Sequence, residues 1–365
     1  MEASSNKGLL YFTVAAVSLV TLWKLQRRQN RLGAGSQRDS VHQDEVDMQY
    51  LRSCHILRLQ LSPPAQSNFR VVALLLLEDG SVVAGTNDEP SPNISLAMCA
   101  ERCAFLRYRV QQCSSPVQTV YIVTDANTPV SPGTACREYM YCHHATRPTT
   151  RIVMQSKEPQ SDPLCLNLSD LHPFPSIYAG LTPEEQMKFG RTLQSSIQQQ
   201  VEQLQVTGLS HTQMSNLIQA AQNASQQDIR DSLHAMRYGA AVAIVDCSAG
   251  TTTGSTDPPQ IYIVQAPQIK ALEYGCTLDA ACQLASQILV NKKARPVAVV
   301  LVDQFGIPHG LFAQARAFFV EHGFGDCMVI VTRVDSTSSQ APEKKATVQC
   351  VPARELAPFV PEFRS

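Results

Sequence analysis

Blocks of apolar residues alternate with polar, turn-forming blocks along the chain, and their spacing predicts a mixed α/β fold. The continuous apolar run at Val71–Leu77 is typical of a strand that is buried on both faces, and Val117–Thr124 is predicted to be another buried strand. Residues 82–85 are predicted to pair back on the first run across the turn at Asp79-Gly80. Further predicted elements are a strand at Arg151–Gln155 and helices at 46–61, at 95–109 and at 136–142.

Residues 179–232 carry two helix-start signals and are predicted to form a linker of two or three helices. The run Thr182-Pro183-Glu184-Glu185 combines an N-cap residue, a first-turn proline and a capping-box glutamate. Ser210 precedes a second set of apolar residues at helical spacing, which runs from Met214 to Ala221. The many glutamines of this segment are polar but tolerate a helix, so we expect helices here and not disorder.

Near the N-terminus, residues 8–23 form an uncharged apolar run, and a basic cluster follows at 24–31. A helix of this length spans roughly 24 Å, against a hydrocarbon core of about 30 Å. We expect residues 1–35 to be a single-pass membrane anchor, with the chain after it on the cytosolic or an equivalent side, because basic flanks are retained there. The alternative is a targeting peptide that is removed near Arg31. Residues 36–45 are predicted to be a flexible tether.

Composition limits the partners and the compartment. The formal net charge is −1 and only 17% of residues are charged, so the basic surface that nucleic-acid binding requires is not expected. Twelve cysteines are scattered along the chain without the spacing of a disulfide framework, which favours a reducing compartment. Together with the anchor, this predicts the mitochondrial inner membrane or the cytosolic face of an endomembrane.

Two short motifs carry candidate metal chemistry. Cys99-Ala100-Glu101-Arg102 is followed by Pro132-Gly133-Thr134-Ala135-Cys136-Arg137. Nucleobase deaminases use a Cys or His, a Glu two residues later and a distant P-C-x-x-C. Three protein ligands then hold a zinc ion, which lowers the pKa of a water molecule, and the Glu carries protons between the water and the base. Gly133 stands where the middle thiolate is expected.

The order of further segments resembles the cytidine deaminase family over residues 55–178. Ser67–Ala73 is similar to the family's entry into its first strand, Asn87-Asp88-Glu89 is similar to its ribose-binding N-x-E, and 166–174 is similar to its closing segment. The resemblance implies a zinc cofactor held by Cys99 and Cys136, with Glu101 as the catalytic proton carrier. It also implies that Phe69, Asn87 and Glu89 contact a pyrimidine nucleoside.

The C-terminal part resembles a second, degenerate copy of the same family. Gly239-Ala240-Ala241 is similar to the strand entry, 307–312 takes the place of the P-C-G-A-C loop, and 348–359 is similar to the closing segment. The expected fold is two deaminase-like three-layer α/β/α domains in tandem plus the N-terminal membrane helix. Their boundaries are 46–178 and 233–365, with the helical linker 179–232 between them.

Several residues near these motifs have structural alternatives. Cys103, one helical turn after Cys99, is a substitute ligand only if the metal lies deeper. The cluster Cys142-His143-His144 lies too far from Cys136 for direct coordination, and we expect it at the surface. His309 is expected to be structural, because its copy lacks the glutamate.

The sequence supports two functions. The favoured hypothesis is a membrane-anchored protein whose catalysis is weak or lost and which acts as a subunit of a homo-oligomer or of a membrane complex. The alternative is an active zinc-dependent deaminase that converts cytidine or deoxycytidine to uridine or deoxyuridine. Gly133 and the anchor favour the first, and the intact Cys99-Ala100-Glu101-Arg102 favours the second.

Overall fold

A computed structural model of the chain describes residues 39–228, 234–246, 260–290, 294–334 and 346–359. The predicted anchor at 8–23, its basic flank and the first residues of the predicted tether lie outside the described residues. None of the described helices is both long and apolar enough to cross a bilayer. The first of them, α1, is Asp39–Gln60, so it begins earlier than predicted and includes residues that the sequence assigned to the tether.

A five-stranded mixed sheet forms the first half of the chain. Its strands are β1 (Val71–Leu77), β2 (Val82–Thr86), β3 (Val117–Thr124), β4 (Arg151–Gln155) and β5 (Leu164–Asn167), in the order β2-β1-β3-β4-β5. Strands β3 and β4 are parallel, and the other neighbouring pairs are antiparallel. The predicted strands at 71–77, 117–124 and 151–155 are confirmed, and nearly all of their residues are buried, as in strands that are covered on both faces.

Helices cover both faces of this sheet. One face packs on α1, with Val72, Leu74 and Leu76 of β1 against Tyr50, Leu51 and Cys54 of the helix. The other face carries α2, Ala100–Val110, which approaches β2 at Gly85. A Cβ atom on Gly85 would lie 2.3 Å from both the Ala100 carbonyl oxygen and the Ala104 nitrogen. Glycine at this position therefore permits the contact that holds α2 in place.

A second mixed sheet repeats this arrangement of strands. Its path is β11-β10-β8-β6-β7, from β6 (Tyr238–Asp246), β7 (Ile261–Pro267), β8 (Ala294–Asp303), β10 (Met328–Val334) and β11 (Ala346–Pro352), and the short β9 (Pro308–His309) pairs with β8. Strands β8 and β10 are parallel, and the other pairs are antiparallel. Each of the two sheets thus has the same order and the same strand directions.

The second sheet also has a helix on each face. Helix α6, His211–Ser225, packs on Ala241 and Ala243 of β6, and Gly239 allows its backbone to come close. Helix α7, Ala280–Val290, packs on the alternate residues of the same strand, which point the other way. The mixed α/β class is confirmed, since both halves are sheets sandwiched between helices.

The predicted helices of the linker are confirmed. Helix α5, Pro183–Gln203, begins with a complete capping box in which Thr182 accepts from the Glu185 nitrogen and Glu185 accepts from the Thr182 nitrogen. Helix α6 begins with the same device at Ser210 and Gln213. The domain boundaries expected from the sequence stay a prediction.

Contacts divide the chain into two compact units. Of the described residues, those up to Ser131 and those of His144–Leu168 form one unit, and those of Pro132–His143 and from Ser169 onward form the other. Helix α3, Thr134–Cys142, which connects β3 to β4 along the chain, belongs to the second unit. There it packs against α8, Ala313–Glu321. Two short helices, α4 (Leu168–Leu171) and α9 (Ala353–Leu356), follow β5 and β11.

Candidate metal centre

Cys99 is the N-cap residue of α2. The helix predicted at 95–109 would have placed Cys99 within its first turn instead. Residues Ile94–Leu96 form a short 3-10 helix, and the backbone then extends through Met98 before α2 begins. The extension has a cause, since Met98 and Asp88 exchange both backbone hydrogen bonds, at 2.8 and 2.9 Å. The bridge ties the loop that carries Asn87 and Glu89 to the residue immediately before Cys99.

The α2 motif places a carboxylate and a guanidinium beside the Cys99 sulfur. Glu101 lies in the first turn of the helix and is 4% exposed, whereas Cys99 is half-buried. Arg102 donates from Nη2 to the Ala97 carbonyl oxygen at 3.2 Å and to the Cys99 Sγ atom at 3.5 Å. A positive charge and a helix N-terminus both favour the thiolate form of a cysteine. Arg102 is part of the sequence motif, but the motif alone does not predict its contact with the Cys99 sulfur.

Cys136 lies in the first turn of α3 and is buried. The N-cap residue of this helix is Gly133, with φ −61° and ψ 156°, a backbone conformation that any residue adopts. A Cβ atom on Gly133 would meet no atom within 4 Å. Both candidate thiolates therefore lie at helix N-termini, as the sequence predicted, and Gly133 contributes no side chain to the site.

The ligand atoms of Cys99, Glu101 and Cys136 come together. The two sulfur atoms and one carboxylate oxygen all lie within 4.8 Å of one another. Thiolates bind zinc at about 2.3 Å, so two sulfurs that share an ion lie roughly 4 Å apart. Within the described residues, no other set of three His, Cys, Asp or Glu side chains is this compact. The donor atoms and their spacing therefore fit a zinc ion.

Cys103, the alternative ligand, is not part of this cluster. It is half-buried, and burial raises its pKa, with a further contribution from the nearby Asp88 carboxylate. Both effects disfavour the thiolate that a metal needs. Cys142 and His144 are exposed, as the sequence predicted for that cluster.

The predicted nucleoside-contacting residues form one hydrogen-bonded loop network. Asn87 accepts from the Val71 nitrogen at 2.8 Å and donates to the Phe69 carbonyl oxygen at 2.8 Å and to Glu89 at 3.1 Å. Glu89 in turn accepts from the backbone nitrogen and the hydroxyl of Ser67, at 2.8 and 2.9 Å. The structure thus joins Phe69, Asn87 and Glu89, and a carboxylate has lone pairs left for further donors.

The second half differs from the first at each ligand position. Its 3-10 helix, its bridge Ile269–Leu278 and its helix α7 follow one another as in the first half, so Asp279 takes the place of Cys99 and Ala281 that of Glu101. Helix α8 begins after the N-cap Phe312, which takes the place of Gly133, and Ala315 that of Cys136. The sequence register that matched 307–312 to the P-C-G-A-C loop was therefore wrong, because 308–309 form the added strand β9.

His309 is structural, as predicted. It is fully buried, its Nε2 lies 3.1 Å from Asp303 Oδ2, and Tyr178 donates to the same oxygen at 2.5 Å. The Asp303 carboxylate also accepts from the nitrogens of Phe305 and Ile307, so it organises the turn before β9.

Two fully enclosed arginines are further features that the sequence did not reveal. Arg137, next to Cys136, is 0% exposed and Arg316 is 2% exposed. Burial lowers the pKa of each guanidinium to about 10. From sequence alone, an arginine on a helix is expected at the surface. These two arginines are core residues because segments distant in sequence pack around them.

No protein-family model matches the chain, but comparison with known proteins finds cytidine deaminases among its relatives. A cytidine deaminase of Halalkalibacterium halodurans is 39% identical over 74 residues, which are 20% of this chain and 54% of that protein. A cytidine deaminase of Sporosarcina psychrophila is 42% identical over 72 residues, 20% of this chain and 52% of that protein. The chain thus spans about half the length of the curated relatives it matches.

Solved structures of similar proteins are cytidine deaminases as well. The enzyme from Burkholderia pseudomallei is matched over 34% of this chain and 94% of its own, with 27% identity and a TM-score of 0.30. The enzyme from Mycobacterium leprae is matched over 34% of this chain and 93% of its own, with 23% identity and a TM-score of 0.28. The sequence similarity to the two curated cytidine deaminases, which covers 20% of this chain, is consistent with a member of that family.

Proposed function

We propose that this chain is a metal-dependent hydrolase that deaminates a pyrimidine nucleoside of the cytidine or deoxycytidine type. The observation that supports it is the cluster of Cys99, Glu101 and Cys136, whose ligand atoms lie within 4.8 Å of one another. Two sulfurs suited to zinc stand beside a buried carboxylate, so the site has two of the three zinc ligands and the proton carrier that hydrolytic nucleobase deaminases use.

Cys99 and Cys136 would hold the zinc ion, which would supply the Lewis acidity that lowers the pKa of a water molecule. The reaction adds water across C4 of the base, breaks the bond from C4 to the exocyclic nitrogen and releases ammonia. Glu101 is the carboxylate placed to take the proton from the water and return it to the leaving nitrogen. Its position in the first turn of α2 keeps it beside Cys99 and away from bulk water.

A positive charge or a helix N-terminus stabilises each of the two thiolates. Arg102 donates to the Cys99 sulfur, and Cys136 lies at the N-terminal end of α3. Gly133 adds no third thiolate, so we propose that the metal is bound more weakly than in a three-ligand site. Even changes beyond the ligands themselves cost roughly 10- to 100-fold in affinity, and a missing ligand costs more.

We assign the recognition of the sugar to the network of Asn87 and Glu89. The bridge between Asp88 and Met98 holds this loop beside the residue that precedes Cys99. The Glu89 carboxylate is held by Ser67 but keeps lone pairs for a donating hydroxyl, and Phe69 offers an aromatic ring on the same network.

The second half is, in this proposal, a duplicated copy that has lost the chemistry. The shared strand order and strand directions of the two sheets support a duplication. Asp279, Ala281 and Ala315 at the corresponding positions offer neither the proton carrier nor the thiolates.

The role of Glu101 is tested by Glu101→Gln. The variant removes the proton carrier and is expected to lower the rate of uridine formation from cytidine by about 10²- to 10⁴-fold while the bound zinc is retained. Glu184→Gln, which changes an exposed glutamate in the first turn of α5, serves as the matched control and is expected to behave like the wild type. Equal activity of Glu101→Gln and the wild type contradicts the assignment.

Gly133 also favours a second candidate, a catalytically silent scaffold. In that case the chain assembles with copies of itself or with other subunits and turns over no nucleoside. Absence of uridine formation by the wild-type chain at saturating zinc, together with a stable oligomer in analytical ultracentrifugation, identifies the scaffold. Activity above that of Glu101→Gln excludes it.

We keep the membrane anchor at residues 8–23 as a separate proposal, supported by the apolar run and the basic cluster that follows it. Carbonate extraction tests it. The full-length chain is expected in the membrane pellet and a chain that lacks residues 1–35 in the supernatant. Release of the full-length chain into the supernatant contradicts the anchor.

A further inference from the structure

Arg137 connects the helix that carries Cys136 to two separate segments of the chain. Its Nε donates to the Pro132 carbonyl oxygen at 2.7 Å, and its Nη1 donates to Leu171 at 2.9 Å. The same guanidinium reaches the end of the chain, where Nη1 donates to Pro358 at 2.5 Å and Nη2 to Phe359 at 2.8 Å. A planar fork with five donors is suited to several acceptors at once.

Arg316 on helix α8 makes a matching set of hydrogen bonds, with the roles of the two segments exchanged. Its donors reach the carbonyl oxygens of Leu311, Leu356, Pro173 and Phe174, at 2.5, 2.9, 2.6 and 2.5 Å respectively. Each arginine thus donates to the residue before the N-cap of its own helix, to the last residue of one short helix and to a Pro-Phe pair that follows the other short helix.

The Pro-Phe pairs are shaped for these contacts. Phe174 and Phe359 both have left-handed backbones, with φ of 50° and 55°. This conformation is uncommon for a residue other than glycine and costs free energy, so it persists where surrounding contacts compensate. The same strained turn beside both arginines shows that each pair is organised to present its carbonyl oxygens.

The two arginines differ in the residue that precedes them. Arg137 follows Cys136, the candidate ligand, whereas Arg316 follows Ala315, which cannot bind a metal. A metal ligand must be held within about 0.5 Å of its productive position. A rotation of α3 about its axis displaces Cys136 Sγ, and a rotation of α8 displaces only a methyl group.

We propose that Arg137 is a positioning residue for the metal site, and that the C-terminal pair Pro358-Phe359 acts through it to set the orientation of Cys136. The inference rests on the proposed metal site. In this proposal the second half has a defined role. Its closing segment, through Pro358 and Phe359, holds α3, and α3 carries the ligand Cys136. Arg316 makes the matching contacts but contributes only to stability.

Cobalt binding separates these two roles, since cobalt replaces zinc in thiolate sites and its thiolate charge-transfer absorption reports the ligand geometry. Arg137→Gln and the matched control Arg316→Gln are titrated with Co²⁺ in the full-length chain, and the melting temperature of each is recorded. Both are expected to melt earlier by similar amounts. Arg137→Gln alone is expected to weaken Co²⁺ binding by about 10-fold or more and to change the charge-transfer band.

Arg137→Lys tests whether charge alone accounts for the effect. Lysine keeps a positive charge near Cys136 but cannot serve the same four carbonyl oxygens from one plane. We expect its Co²⁺ affinity to resemble that of Arg137→Gln. Wild-type affinity in Arg137→Lys would overturn the positioning role.

Two shortened chains provide a test that leaves Arg137 in place. A chain that ends at residue 357 lacks the Pro358 and Phe359 carbonyl oxygens, whereas a chain that ends at residue 360 keeps them. Only the shorter chain is expected to bind Co²⁺ about 10-fold more weakly. Combining it with Arg137→Gln is expected to add little, because both changes remove the same contacts.

The outcomes distinguish this inference from the proposed function. Equal loss of Co²⁺ affinity in Arg137→Gln and Arg316→Gln, or none in either, overturns the positioning role while the metal site stands. Absence of the charge-transfer band in every chain, including a Gly133→Cys chain, refutes the metal site itself and the inference that rests on it.

Discussion

Gly133 occupies the N-cap position of α3 with an ordinary extended backbone and with open space around the direction of a Cβ atom. The backbone and the packing therefore do not require glycine there, in contrast to Gly85, where a Cβ atom would collide with α2. Neither packing nor backbone conformation requires glycine at position 133. Glycine there removes a zinc ligand and leaves the fold unchanged.

Gly133→Cys is expected to restore the third thiolate. Zinc affinity should rise by about 10-fold or more, since a ligand contributes at least as much as groups that only support one. Cytidine deamination should rise with it, because metal occupancy limits the number of active chains. Chelator competition and uridine formation measure the two effects.

Gly275→Cys is the matched control for this variant. Gly275 also has open space around a Cβ atom, but it lies in the second half, within the 3-10 helix Tyr274–Cys276. We expect it to add a thiol without any change in zinc affinity. Unchanged zinc binding in Gly133→Cys would show that a side chain at 133 does not face the metal.

His172 lies among the buried arginines and predicts a dependence of stability on pH. It is 2% exposed, and its Nδ1 lies 3.5 Å from Arg316 Nη1. Burial lowers its pKa well below the usual value, and the charges of Arg316 and Arg137 act in the same direction. The folded chain keeps His172 neutral, whereas the unfolded chain protonates it below about pH 6.5. Folding stability contributed by this group is therefore present at neutral pH and is lost as the pH falls below that value.

His172→Asn keeps an acceptor and removes the titration. The loss of stability between pH 7 and pH 5, measured by urea unfolding, is expected to be shallower by up to about 1.4 kcal/mol per pH unit. His211→Asn, at an exposed position, is the control and should leave the slope as it is in the wild type. An unchanged slope in His172→Asn would contradict the assignment.

At the scale of elements, the sequence predicted those parts of the fold that local pattern determines. The strands at 71–77, 117–124 and 151–155 are rich in apolar and β-branched residues, and α5 and α6 begin at complete capping boxes, so both kinds of element were found. The start of α2 was misplaced, because the bridge between Asp88 and Met98 is a contact between residues distant in sequence that overrides local helix propensity.

The candidate site was predictable in part for the same reason. The motif spacing identified Cys99, Glu101 and Cys136, and the structure brings their ligand atoms together. The contacts of Arg137 with Pro358 and Phe359 join residues more than 200 positions apart. No periodicity or spacing in a single sequence encodes such a contact, so the link between α3 and the C-terminal segment required the structure.

At the scale of the molecule, two sheets with one topology carry different chemistry. The first half supplies Cys99, Glu101 and Cys136, and the second half has Asp279, Ala281 and Ala315 in their places. The contacts of Arg137 and Arg316 are matched in the same way, since each arginine donates to the carbonyl oxygens of a Pro-Phe pair.

Zinc affinity is the measurement that tests the central claim most directly. Wild-type chain, Cys99→Ser, Cys136→Ser and the control Cys103→Ser are each equilibrated with zinc and titrated with a chelator of known affinity. The wild type and Cys103→Ser are expected to bind zinc equally and to release it to a mild chelator, because two thiolates hold it. Cys99→Ser and Cys136→Ser are expected to lose at least about 10-fold in affinity. Zinc binding that is unaffected by Cys99→Ser and Cys136→Ser would contradict the account.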